Sequence, residues 1–225
     1  KPIGTIKLSE WMKENKETIH EALLFLAFTA ALSGTFDVAW LARQQVLERY
    51  PRAEIRIVDT RAASVAEGLL VYEAARLFAG GMPIGEIEAW GDAERPRLNG
   101  WFIVDDLESL RRGGRLPAAA AAAGTLLDVK PLLCVGDSGR LELRRSYRGR
   151  IKAIRGLCDI VESRLEADRS RTMIVGHADC LADAERLRDM LVEKSGVSDV
   201  MLCDIGPVIG AHTGPGMLAV AFWGV

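Results

Sequence analysis

The apolar positions of this 225-residue chain fall into short unbroken runs separated by segments with helical spacing, an alternation that predicts an α/β fold. Ser9 to Ile19 has the spacing of an amphipathic helix, with Ser9 in the N-cap position and Trp11, Met12 and Ile19 on one face. Ala22 to Ala31 is an unbroken apolar run, the pattern of a strand covered on both faces of a sheet. Leu32-Ser33-Gly34-Thr35-Phe36 reads as a turn, and Asp37 to Tyr50 returns to helical spacing through Val38, Leu41, Ala42 and Val46. Strand, turn and helix make a crossover unit, whose turn lies at the carboxyl end of the strand, where open α/β sheets bind ligands. The start of its helix offers free N–H groups and a positive dipole end to an anion. Glu54 to Asp59, Thr60 to Ser64 and Val65 to Ala79 repeat the plan, and Asp59 ends the second strand.

Pro83 to Ala93 predicts a further helix, and the irregular stretch Arg95 to Gly100 after it marks the expected boundary between a domain of residues 1–95 and one of residues 96–225. Trp101 to Val104 reads as a strand and Leu107 to Leu110 as a helical turn, followed by Arg111-Arg112-Gly113-Gly114-Arg115. Ala118 to Ala123 is a strong helix former. Leu126 to Val135 is strand-like, and Asp137-Ser138-Gly139 is a hairpin turn into Arg140 to Tyr147. Helices over Ile151 to Ala167 and Leu181 to Lys194 alternate with strands over Thr172 to Val175 and Val200 to Cys203. The chain closes on Val208 to Phe222, where His212 and Thr213 stand among Gly210, Gly214, Pro215 and Gly216 on what reads as a constrained loop before an apolar strand.

Composition adds mainly exclusions. Hydrophobic residues at 49% and charged residues at 27% describe a soluble globular protein. With 29 basic against 31 acidic side chains, there is no global field to attract nucleic acid or an anionic membrane. The apolar segment Ala22 to Phe36 is too short to cross a bilayer, and Glu10, Glu14, Glu17 and Glu21 precede it where a signal peptide would be basic. Cys134, Cys158, Cys180 and Cys203 form no C-x-x-C pair and read as reduced thiols of a cytoplasmic protein. His177 and Cys180 have no second pair beside them, so no metal is expected. The chain opens on Lys1 rather than methionine, which leads us to expect a longer protein.

Three polar clusters could carry chemistry: Thr29, Ser33 and Thr35 at the first turn; the arginine and glycine loop 111–115; and His212 with Thr213. A hydrolase would use Ser33 as nucleophile, His212 as base and Asp59 to orient it. However, Ala31 and Thr35 stand where the glycines of a G-x-S-x-G elbow would be. An anion site asks only for hydroxyl donors, backbone N–H groups and one histidine. The arginine loop matches neither G-x-x-x-x-G-K-[ST] nor G-x-G-x-x-G and reads as a solvated turn with a structural ion pair.

Four separated segments together resemble the DegV family of bacterial lipid-binding proteins. They are Leu32-Ser-Gly-Thr-Phe36; Val58-Asp59 with Ser64 and Gly68; Leu110-Arg-Arg-Gly-Gly-Arg115 with Leu127-Asp-Val-Lys-Pro131; and Ile205-Gly206 with Ile209-Gly-Ala-His-Thr-Gly-Pro-Gly216. The resemblance implies a two-domain α/β fold, with a parallel Rossmann-like sheet and a mixed-sheet C-terminal domain. A long-chain fatty acid lies between the domains and is presented to a partner kinase for acyl-phosphate formation. It further implies a carboxylate site at Thr29, Ser33, Gly34, Thr35, His212 and Thr213, with Arg148 facing the kinase. Such a protein is a carrier rather than an enzyme, with no metal and no cofactor beyond the bound lipid. The family's first strand, which carries Asp-Ser-Thr, has no counterpart in this sequence, and Gly4 to Ser9 stands in place of a Thr-Ser-Gln-Pro-Ser loop, with Thr5 the nearest stand-in. The paired serines that precede Leu-Ser-Gly-Thr in the family are Thr29-Ala30 here. The residues themselves leave two alternatives open, an enzyme acting alone (a Ser/His hydrolase or a small-molecule kinase relative) and an interaction module that binds no lipid.

Overall fold

The computed structural model describes residues 22–116 and 128–225; the helix expected over Ser9 to Ile19, Thr5 and the alanine run Ala118 to Ala123 lie outside them. Two sheets organise the chain. The smaller pairs β1 (Leu23–Ala27) with β2 (Ile55–Asp59) in parallel, in the register Leu23 to Ile55 through Ala27 to Asp59. Helix α1 (Thr35–Arg49) connects them as a crossover. Ala22 to Ala31 is therefore not one long buried strand. It bends at Phe28 into the turn that carries Thr29 to Gly34, and Phe25 is exposed on the strand itself.

The larger sheet has six strands in the order β5 (Leu141–Arg148), β4 (Val129–Val135), β3 (Leu98–Ile103), β8 (Leu218–Trp223), β6 (Met173–His177) and β7 (Val200–Asp204). All neighbours run antiparallel except β6 and β7. Arg95 to Gly100, expected to be irregular, is a single 3-10 turn (Arg95–Arg97) followed directly by β3, because Leu98 to Gly100 find ladder partners in Trp223 to Ala221 of β8.

Two-residue alternation along β8 gives the sheet two apolar faces. Leu218, Val220 and Phe222 face helices α5 (Arg150–Arg164) and α6 (Leu181–Ser195) through Ile154, Leu157, Leu187 and Leu191. Ala219, Ala221 and Trp223 face α2 (Val65–Ala79) through Val65, Ala66, Leu69 and Leu70. The alanines on this face keep the sheet surface low where the helix rests. Helix α2 thus follows a strand of the small sheet but packs on the large one, while α3 (Ile84–Glu94) packs on both β1 and β2.

Two short helices complete the described chain, α4 (Glu108–Arg112) and α7 (Pro207–Thr213). The second corrects the expectation of a loop at His212. Pro207 occupies the first turn, where its missing N–H costs nothing, and Gly210 is tolerated inside the helix. Only Gly214 and Gly216, after the helix, take positive φ, at 77° and 78°. His212 is therefore held at the last turn of a helix rather than on a constrained loop.

Candidate functional site

The turn after β1, the first turns of α2, the end of α4 and one face of α7 surround a cavity of about 390 Å3, within the size range of small-ligand pockets. Its walls are largely apolar, with Phe28, Trp101, Phe102, Val135, Leu141 and Met217 among them. The polar groups are few: Ser33, Thr35, Ser64, Glu67, Arg115, His212 and Thr213.

The three clusters that looked like competitors in the sequence converge here. The Arg115 guanidinium donates through Nε and Nη2 to the Leu32 carbonyl, at 3.1 and 2.9 Å, and through Nη1 to the Gly113 carbonyl at 2.6 Å. Leu32 directly precedes Ser33. Gly113 in turn rests against the His212 imidazole, so closely that a Cβ at position 113 would collide with Nδ1. Arg115 therefore joins the Ser-Gly-Thr turn to the histidine helix. The 111–115 loop is not simply a solvated turn: Arg111 makes the expected structural ion pair with Glu108, but Arg115 belongs to the cavity wall.

The Ser33 and Thr35 hydroxyls lie 2.8 Å apart, and Ser33 Oγ also accepts the Thr35 N–H at 3.2 Å. Gly34 is exposed between them as the cap of α1. His212 Nδ1 is buried without a hydrogen-bond partner among the described residues. Thr213 lines the cavity, and its hydroxyl donates to the Ile209 carbonyl at 3.0 Å. Thr29 does not reach the cavity wall. It is fully buried, donates to the Gly139 carbonyl at 3.0 Å and accepts the Ala31 N–H at 3.3 Å, which fixes the turn against the β4–β5 hairpin. Arg148 stands exposed at the end of β5, opposite Val129 and away from the cavity.

The hydrolase arrangement is not assembled. Asp59 accepts the backbone N–H groups of Ala30 and Arg61, and no hydrogen bond links Ser33, His212 and Asp59 among the described residues. Asp59 shapes the turn instead. His177 and Cys180 likewise go to separate partners, Asp204 and the Met217 carbonyl.

One cavity residue, Glu67, has no place among the three clusters, and Arg115 stands in them only as one of several arginines in a glycine loop. Glu67 was hidden in an apolar helix start, Val65-Ala-Glu-Gly-Leu69, where an acid inside an apolar run was the available signal. Burial pushes the Glu67 carboxyl up to about 7, and no ion pair relieves it among the described residues.

No helix among the described residues is long and apolar enough to cross a membrane. A DegV domain-containing protein of Clostridium perfringens is 45% identical over 203 residues, covering 90% of this chain and 70% of the relative. A fatty acid binding DegV family protein from Streptococcus agalactiae superposes with a TM-score of 0.81 at 27% identity, covering 97% of this chain and 76% of that one. A DegV family protein from Thermus thermophilus, described by its fatty acid binding, gives 0.80 at 29%, covering 96% and 76%. The model of the DegV family, described as uncharacterised protein, matches residues 3–224, and this chain belongs to that family.

Proposed function

We propose that this protein binds a long-chain fatty acid in the 390 Å3 cavity and presents its carboxylate at the Ser33 turn to a partner kinase that forms the acyl phosphate. One observation carries the reading. A largely apolar cavity is lined by two adjacent hydroxyls and by the His212 ring, whose Nδ1 is packed against Gly113. Burying a methylene is worth about 0.8 kcal/mol, so a chain of some fifteen contributes on the order of 10 kcal/mol before the entropy cost of binding. The tail then supplies the affinity, and neutral donors suffice for the head group.

Ser33, Thr35 and His212 are the proposed donors, with Thr213 beside them, Gly34 leaving the rim open and Thr29 holding the turn from behind. Arg115 lends positive charge, but three of its five N–H donors are committed to two carbonyls, Nε among them, so it attracts the carboxylate more than it clamps it. That leaves a carboxylate oxygen able to attack a phosphoryl donor. Arg148, exposed on β5, is assigned to the kinase-facing surface. In this reading residues 1–95 and 96–225 are the two domains, the protein is a cytoplasmic carrier, and catalysis belongs to the kinase. The two fatty-acid-binding relatives and the four shared sequence segments support it.

Mass spectrometry of the denatured protein after mild purification tests the binding: a stoichiometric long-chain fatty acid is expected. An empty protein with esterase activity would favour the hydrolase. For presentation, His212→Ala should retain lipid yet slow phosphorylation by the kinase, and an unchanged rate would remove His212 from the site.

A further inference from the structure

A second cavity, of about 460 Å3, lies beside the first, and Ala66, Gly100 and Val135 line both. Its character is opposite. Arg61, Arg95 and Arg164 line it, against the single carboxylate of Asp137. The arginines come from three places: Arg61 from the β2–α2 turn, Arg95 from the 3-10 turn before β3, and Arg164 from the end of α5.

Arg61 and Arg164 make no ion pair among the described residues, and Arg95 keeps donors free. Arg164 donates through Nε to Asn99 at 2.8 Å and lies over the Trp101 ring at 5.7 Å, but it makes no ion pair among the described residues. Arg61 makes one long contact, from Nη1 to the Asp137 carbonyl at 3.4 Å. Arg95 forms an ion pair through Nη1 with Asp92 at 2.9 Å, outside the cavity lining, and donates to the Asp59 carbonyl at 3.2 Å, which leaves Nε and Nη2 uncommitted among the described residues. Guanidinium forks that line a polar space and outnumber its carboxylates three to one offer what phosphate oxygens satisfy, two parallel bonds per fork. A doubly charged tetrahedral anion can engage several forks at once, which a single carboxylate cannot. We propose that this cavity is a binding site for a phosphate group, held by Arg61, Arg95 and Arg164 across the joint between the two sheets.

The site goes beyond the lipid reading and does not depend on it. Its phosphate could be free or part of a small phosphomonoester, since the volume admits either. Titration calorimetry of the full chain with inorganic phosphate and with glycerol 2-phosphate, at ionic strength held constant with chloride, distinguishes the two. Saturable one-site binding is expected for at least one of them, and the tighter of the two identifies the source. Arg61→Gln, at an exposed position with a single long contact, should weaken that binding about tenfold, while its co-purified fatty acid stays at the wild-type level. Arg164→Lys keeps the charge but loses the fork and should weaken binding as well. Heats no different from those of chloride, or affinity untouched by both substitutions, would overturn the proposal.

Discussion

The two sheets that border the apolar cavity are built to different standards. Strands β6 and β8 of the large sheet are buried at every position, between α5 and α6 on one face and α2 on the other. In the small sheet, β1 carries an exposed Phe25, and α1 has no buried residue at all. One half of the proposed head-group site, His212 and Thr213, stands on a helix anchored through Ile209 to the core. The other half, Ser33 and Thr35, stands on the lightly packed unit and is positioned by named hydrogen bonds instead. Packing fixes one side of the site and polar ties fix the other, so the two sides should fail in different ways.

The largest effect belongs in the packed half. Leu218→Ala empties a fully buried position at the start of β8 and should lower stability by about 2–5 kcal/mol in urea denaturation. A loss below about 1 kcal/mol would mean that the large sheet is no more tightly built than the small one. Next come the ties. Thr29→Val keeps the shape but removes the donor to the Gly139 carbonyl and the acceptor for Ala31, for an expected loss of about 1–3 kcal/mol. Gly139→Ala should cost a comparable amount, because φ at that residue is 75° and a Cβ would strike Thr29 Oγ1. If Thr29→Val stripped the lipid while leaving stability unchanged, Thr29 would be a ligand donor rather than a strut.

This contrast also explains what could be read in the sequence. Helices α2 and α6 and the Asp137-Ser138-Gly139 hairpin lie where periodicity and turn chemistry put them, because local pattern and tertiary packing agree there. Helix α7 was missed because three glycines and a proline outweigh seven residues of weak helical pattern, although Pro207 at its first turn was a usable start signal. Ser33 and His212 were picked out by residue type and then by resemblance. Their connection through Arg115 and Gly113 was not legible, since a guanidinium bonded to a backbone carbonyl 83 residues away leaves no trace in spacing.

A third test uses pH at the seam between the halves. Glu67 titrates at about 7 in the folded protein, against an ordinary value of 4.5, because burial disfavours its charge. The folded state therefore holds this proton more tightly than the unfolded chain, and unfolding releases it between those two pH values. Stability from this group is complete below about pH 4.5 and is lost as pH rises through 7. After allowance for the part of the carboxyl that water reaches, the loss should be roughly 1–2 kcal/mol. Glu67→Gln should flatten this slope, matching the wild type near pH 4.5 and exceeding it at pH 8 in parallel urea titrations. Equal slopes would show that Glu67 ionises freely, and that the cavity is wetter than its walls imply.

The smallest effect is expected on α1, where the contrast is most exposed to failure. Val38 leaves 69% of its surface open, and neither it nor any other residue of that helix is buried. An exposed side chain contributes little apolar burial, so Val38→Ala removes almost no transfer free energy, and alanine's higher helix propensity works in the opposite direction. The net change should stay within about 0.5 kcal/mol by urea denaturation, and any fatty acid that co-purifies with the wild type should be retained. A loss above about 1 kcal/mol would break the comparison, because it would require this face to be covered in solution. The Ser33 side of the site would then owe its position to packing as much as to Thr29 and Arg115.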